Sequence, residues 1–69
     1  MKPTVALAKI VEKTGSISEL ARLINANRAS VSRWVNGKRN IPAIFVKRLV
    51  LVSEGEVRKK DLRPDLYDD

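Results

Sequence analysis

The stretch from Ile17 to Asn36, ISELARLINANRASVSRWVN, decides how this chain folds. Ile17, Leu20, Ala21 and Ile24 fall at the i, i+3, i+4, i+7 spacing that lays one apolar stripe along one side of a helix. In the second half Val31 and Trp34 stand three apart, and the small Ala21 in mid-stripe lets a second helix cross close over the first. Asn25 lies between the halves. A sharp turn between helices needs one residue at positive φ, which Gly accepts most easily and Asn next. The pattern predicts two short helices joined by a tight turn, a helix-turn-helix.

The caps fix where these helices begin and end. Ser16-Ile17-Ser18-Glu19 reads as a capping box, in which the Ser16 hydroxyl accepts from the Glu19 N–H and the Glu19 carboxylate reaches back to the Ser16 N–H. Asn27 suits the N-cap of the next helix and Asn36-Gly37 its stop, so that helix covers residues 28–36. Upstream, Pro3 opens a first helix that carries the stripe Leu7, Ile10, Val11 to Thr14, where Gly15 breaks it. Downstream of the polar loop Lys38-Arg39-Asn40, Ile41-Pro42 starts a fourth helix that runs to Ser53 and stops at Gly55. Glu56 to Lys60 reads as extended and Asp61 to Arg63 as a single helical turn stopped by Pro64. Asp65 to Asp69 are expected to fray apart from Leu66 and Tyr67. With no internal repeat and no linker, residues 1–69 read as one all-α domain, a bundle of four to five helices with a C-terminal tail at 56–69.

A chain of 69 residues buries only about 60% of the surface its unfolded form exposes, so the core is thin and a partner subunit would help it. Cysteine and histidine are both absent, which excludes disulfides, thiolate metal sites and the usual nucleophile–base pairs. A small core without covalent staples points to a reducing cytosol, and no apolar run approaches the roughly 20 residues that cross a bilayer. No cofactor and no enzymatic activity are expected.

Charge says more through its placement than through the net +6. Between Glu19 and Glu54 there is no acid, while Arg22, Arg28, Arg33, Lys38, Arg39, Lys47 and Arg48 fall there; residues 54–69 hold six acids against four bases. The positive field therefore belongs to the helix-turn-helix and attracts polyanions, with duplex DNA favoured over a membrane surface. At about 100° per residue, Val31 and Trp34 point to one side of the second motif helix; the other side collects Ala29, Ser32, Arg33 and Asn36, with Arg28 in the first turn. That face suits the major groove. Arg reads guanine O6/N7 in a bidentate way, Ser bonds several bases and the Ala methyl meets a thymine methyl, so Arg28, Ala29, Ser32 and Arg33 are the base-edge candidates. Ser16, Asn27, Ser30, Asn36, Lys38 and Arg39 are the phosphate candidates on either side. Trp34 reads as core rather than as a stacking platform, and Arg22 and Lys9 as solvated. Asp61, Asp65, Asp68 and Asp69 lack the alternating, Gly-centred pattern of a calcium loop and read as a solubilising tail, so no metal is expected.

Leu7, Ile10, Val11, Gly15-Ser16, Leu20-Ala21, Val31-Ser32-Arg33-Trp34, Ile41-Pro42 and Asp61-Leu62-Arg63-Pro64-Asp65-Leu66 together resemble the small Cro-type and YdaS-like regulators of bacteriophages and prophages. The resemblance covers nearly the whole chain. It departs from the family pattern at Asn25, where Gly is usual, and at Ala26, where a larger aliphatic is common. It implies repressor-like operator binding in the cytoplasm of a bacterial host. An antitoxin that also binds its own operator is the alternative it implies, and a protein partner at stoichiometry would distinguish that case.

The fourth helix predicts the assembly. From Ala43 to Val52, eight of ten residues are apolar, Lys47 and Arg48 being the exceptions, and three other helices cannot enclose such a helix. With Val46, Leu49 and Val50 facing inward, Ile44 and Leu51 form a ridge bordered by Phe45 and Val52, the expected contact of a symmetric dimer. The contact is small, so the homodimer is expected to be weak, about micromolar, and to assemble largely on DNA over inverted half-sites. The competing expectation is a monomer whose tail covers Ile44 and Phe45 through Leu62, Leu66 and Tyr67.

Overall fold

The structure, a computed structural model, describes residues 1–68, and among them every regular element is a helix. Helix α1, Pro3–Thr14, opens with the proline in its first turn, where a missing N–H costs nothing, and ends at Gly15 with φ 107°. Helix α2, Ile17–Ile24, is capped by Ser16, whose hydroxyl accepts from the Glu19 N–H at 3.0 Å. The other half of the expected capping box is replaced. The Glu19 carboxylate turns to Arg22, one helical turn on, which offers it a charged two-pronged donor instead of a single amide. Arg22 is thus paired rather than merely solvated.

Asn25 ends α2 in the left-handed conformation, φ 58° and ψ 47°, as the turn requires. The Ala26 N–H reaches back to the Ala21 carbonyl at 2.9 Å and the Asn25 N–H to that of Arg22 at 3.3 Å, satisfying carbonyls that the helix end would otherwise leave bare. Helix α3, Arg28–Val35, follows at once, its first turn held by the Asn27 side chain accepting from the Ala29 N–H at 2.8 Å. Helix α4 spans Ala43–Val52 behind the buried Ile41.

Helices α2 and α3 pack on each other and on α1, and α4 closes the bundle against α2. The buried side chains are those the stripes select: Leu7 and Ile10 of α1, Leu20, Ala21 and Ile24 of α2, Val31 and Trp34 of α3, Val46 and Leu49 of α4. Each fully buried aliphatic side chain is worth about 1.5 to 3 kcal/mol. Arg48 adds a fastener, its Nη1 donating to the Ile24 carbonyl at 3.0 Å and its guanidinium lying 5.3 Å from the Phe45 ring.

The tail differs from its expected form. Of the stretch 56–60 expected to be extended, only residues 56–58 are non-helical, because helix α5, Lys59–Leu62, begins two residues early: the Asp61 carboxylate accepts from the Arg58 N–H at 3.0 Å and starts the turn there. Val57 and Leu62, each 1% exposed, anchor this segment in the core, with α5 packing on α1 and α4. Ser53 is buried as well, accepting from the Val57 N–H at 3.2 Å and donating to the Val50 carbonyl at 2.7 Å. Residue Glu54, at φ 55°, turns the chain before Gly55 does. Instead of fraying, residues 64–66 form a turn in which the Leu66 and Tyr67 amides donate to the Arg63 carbonyl. Tyr67 is half-buried under Lys59, and Leu66, expected to be an anchor, is 50% exposed. The expectation for Asp69 lies outside the described residues. Among the described residues, no helix is long and apolar enough to cross a membrane, and no three His, Cys, Asp or Glu side chains are grouped to hold a metal ion.

Candidate nucleic-acid interface

Burying Val31 and Trp34 sets the rotation of α3 about its own axis. Ala29, Arg33 and Asn36 consequently point to solvent, while Ser30 and Ser32 lie half-buried at the two margins of that face. The Asn36 amide donates to the Ser32 hydroxyl at 3.4 Å, one turn apart, so these two polar groups occupy one edge together. Arg33 has no acidic partner among the described residues, and neither do Lys38 and Arg39 in the exposed loop that follows.

Arg28 sits differently from its neighbours. Its Nε donates to the Ser18 hydroxyl at 2.8 Å, which turns the side chain away from the Ala29–Arg33 face and onto the first turn of α2. The contact spans ten residues of sequence and arises only because the turn at Asn25 brings the two helix starts together, so helix geometry alone does not reveal it. Ser16 and Asn27 both have their side chains in use as caps. Either can still approach a phosphate, since a capping hydroxyl keeps its donor and an exposed amide its NH₂.

A groove of about 340 Å³ runs beside α3, rimmed by Ser30, Arg33, Arg39 and Asn40 over a floor of Trp34 and Phe45. The two rings stand 5.2 Å apart with their planes at 45°. Trp34 is only 4% exposed, which fits its reading as core.

The basic field has internal structure. Arg22 is neutralised by Glu19, whose own pKa falls below the ordinary glutamate value chiefly through that hydrogen bond. Arg48, itself exposed, donates to the last turn of α2; with Arg28, Arg33, Lys38, Arg39 and Lys47 it makes up the exposed cations of this interval that have no carboxylate partner among the described residues. On α4, Ile44 and Leu51 are 65% and 72% exposed, seven residues apart on the side away from Val46 and Leu49. Phe45 and Val52 are half-buried against the core, so the ridge narrows to Ile44 and Leu51 with Lys47 and Arg48 on its flanks. Among the described residues, the tail does not cover Ile44 and Leu51. Val5, Leu23 and Leu66 are further exposed apolar side chains, so α4 does not hold the only ones.

Fold and face define a small all-α helix-turn-helix domain whose second motif helix lies within residues 20–53, a stretch that holds bases and no acid. The chain belongs to the YdaS family: the family model described as "Bacterial toxin YdaS" matches residues 7–69. Among its relatives is YdaS of Escherichia coli (strain K12), whose name assigns it provisionally to the transcriptional regulators, 36% identical over 52 residues. That match takes in 75% of this chain but 53% of the relative, so the chain spans about half its length. Another is the regulatory protein cro of Pseudomonas phage D3, 30% identical over 61 residues, 88% of this chain and 84% of that protein. No solved structure matches. The resemblance to Cro-type and YdaS-like regulators drawn from the residues holds.

Proposed function

We propose that this protein is a sequence-specific DNA-binding transcriptional regulator that lays α3 in the major groove of its operator. The single observation that carries the reading is the outward face of α3, where Ala29 and Arg33 project to solvent beside the unpaired Lys38 and Arg39. The names of the relatives, a transcriptional regulator and a Cro protein, support it. Ala29, Ser32 and Arg33 read base edges, and Arg28 joins them by exchanging Ser18 for DNA. Ser16, Asn27, Ser30, Asn36, Lys38 and Arg39 hold phosphates and set the register.

The regulator acts as a weak homodimer that meets through Ile44 and Leu51, with Phe45 and Val52 at the border, and assembles on DNA over inverted half-sites about 34 Å apart. Its place of work is the bacterial cytoplasm. Selection from a random-sequence duplex library, followed by a footprint on the selected site, tests the reading. Recovery of a palindromic site supports it, and recovery of no enriched sequence refutes it.

A second reading, an antitoxin that also binds its own operator, draws on the toxin in the family's description and on the uncovered α4 ridge. Pull-down from the native host separates the two, since a stoichiometric protein partner favours the antitoxin and DNA alone the repressor.

A further inference from the structure

The run Asp61-Leu62-Arg63-Pro64-Asp65-Leu66 contributes no residue to the proposed DNA contacts, yet one of its side chains reaches the loop between α3 and α4. Arg63 is unusual among the bases in being largely enclosed, its side chain only 16% exposed. Asp65 grips one edge of the guanidinium, Nε donating to Oδ1 at 2.9 Å and Nη2 to Oδ2 at 2.6 Å. This fork holds the plane rigid and leaves Nη1 aimed at the Ile41 carbonyl, which it reaches at 2.7 Å.

Ile41 closes the loop between α3 and α4. It is buried, at 2% exposure, and lies 22 residues before Arg63. The loop is pinned at its other end too, where Gly37 adopts φ +74° so close to α1 that a Cβ would come within 3.3 Å of Thr4 Cγ2. Between the two pins Lys38, Arg39 and Asn40 are exposed. The Ile41 side chain seats the far end of the loop in the core and the Lys38 N–H donates to the Arg33 carbonyl at 2.9 Å, while the Arg63 bond fixes how the Ile41 peptide is turned. Residues 39–40 before a peptide free to turn would have to be ordered each time the cations met a phosphate, and that ordering weakens binding.

We propose that Arg63 is a positioning residue for DNA binding: clamped by Asp65, it holds the Ile41 carbonyl and thereby presents Lys38 and Arg39 to the phosphates in a preformed loop. The role rests on the DNA reading of α3, and the experiment separates the two. Replacing Asp65 by Asn raises the net charge by one. If the overall field decided affinity, Asp65→Asn would tighten binding to any duplex; the clasp demands the opposite sign.

The measurement is a salt titration of a short fluorescent duplex of mixed sequence, with the wild type, Asp65→Asn, Arg63→Lys and Lys38→Ala. Arg63→Lys keeps the charge and loses the fork. Both clasp variants should bind about fivefold more weakly at about 0.15 M salt, with a slope lower by about 0.9, the share of one phosphate contact. Lys38→Ala should add little in an Asp65→Asn background, because the contact is already impaired. Amide relaxation of residues 38–40 without DNA should show order parameters falling from about 0.85 toward 0.6 in both variants. Unchanged or tighter binding by Asp65→Asn, with a rigid loop, overturns the clasp alone. A wild type that binds no duplex at low salt overturns the DNA reading and this role together.

Discussion

Replacing Trp34 by alanine asks whether this ring belongs to the protein or to its ligand. The indole is 4% exposed, shares the inner face of α3 with Val31 and meets Phe45 at 5.2 Å between ring centres. A tryptophan buries about 150 to 250 Å², which at about 25 cal/mol per Å² corresponds to roughly 4 to 6 kcal/mol of transfer free energy. Core Trp→Ala changes typically cost about 3 to 5 kcal/mol, because neighbours close part of the cavity. A domain of this length has about 3.5 to 10 kcal/mol of stability in total, so the loss is a large share of the whole. At about 4 to 8 °C per kcal/mol, Tm should fall by roughly 12 to 40 °C. Trp34→Phe keeps a ring against Phe45 and should cost roughly half as much. Since the only tryptophan is removed, far-ultraviolet circular dichroism during thermal and urea unfolding is the suitable measurement. A Trp34→Ala protein that melts within a few degrees of wild type and has merely lost DNA would refute the core assignment and make the ring a binding surface.

On DNA, Arg33→Ala should cost about 1 to 3 kcal/mol on the selected site and relax the preference at one base pair, whereas Lys38→Ala should weaken every sequence alike; competition titrations check this, and equal losses for Arg33→Ala on cognate and random duplex would sink the groove assignment. The double change Ile44→Lys, Leu51→Lys removes two side chains that are 65% and 72% exposed, so folding should survive while sedimentation shows monomers and operator binding loses cooperativity; undiminished cooperativity would dispose of the α4 interface. Acid should loosen the tail. The Arg58 N–H bonded to the Asp61 carboxylate is the largest cause of that group's lowered pKa, with burial opposing it. Because the folded value lies below the unfolded one, the contribution is fully present above about pH 4 and is lost as pH falls through the folded pKa. Asp61→Asn should therefore lower Tm at neutral pH and flatten its acid limb, and parallel Tm–pH curves for the two proteins would contradict this.

Helices α1 to α4 were legible because each combines a periodic stripe with a local stop: Pro3 and Gly15, Ser16 and Asn25, Asn27 and Gly37, Pro42 and the turn after Val52. These signals act within a few residues, so the sequence exposes them. What escaped reading depends on groups brought together from a distance or on a choice between local partners. Lys59 and Lys60 look indifferent to helix or strand until Asp61 caps them and Val57 and Leu62 find room in the core. Glu19 had two local partners, the Ser16 amide and Arg22, and the charged one won. The outward set on α3 followed from helix geometry once Val31 and Trp34 were inward, whereas the Arg28–Ser18, Arg48–Ile24 and Arg63–Ile41 contacts, 10, 24 and 22 residues apart, have no signature in spacing.

Lys47 and Arg48, on the flanks of the Ile44–Leu51 ridge, would set two associations of the proposed dimer against each other. Where two copies meet through α4, four cations gather along one seam, and mobile ions that screen them favour the pair. The same ions displace each copy from DNA, since every phosphate contact releases counterions whose return is favoured as salt rises. In the proposed dimer, protein pairing and duplex binding would thus respond to ionic strength with opposite signs. On the proposed inverted site, occupancy by two copies should then pass through a maximum at intermediate salt, with the phosphates of the duplex supplying part of the screening charge.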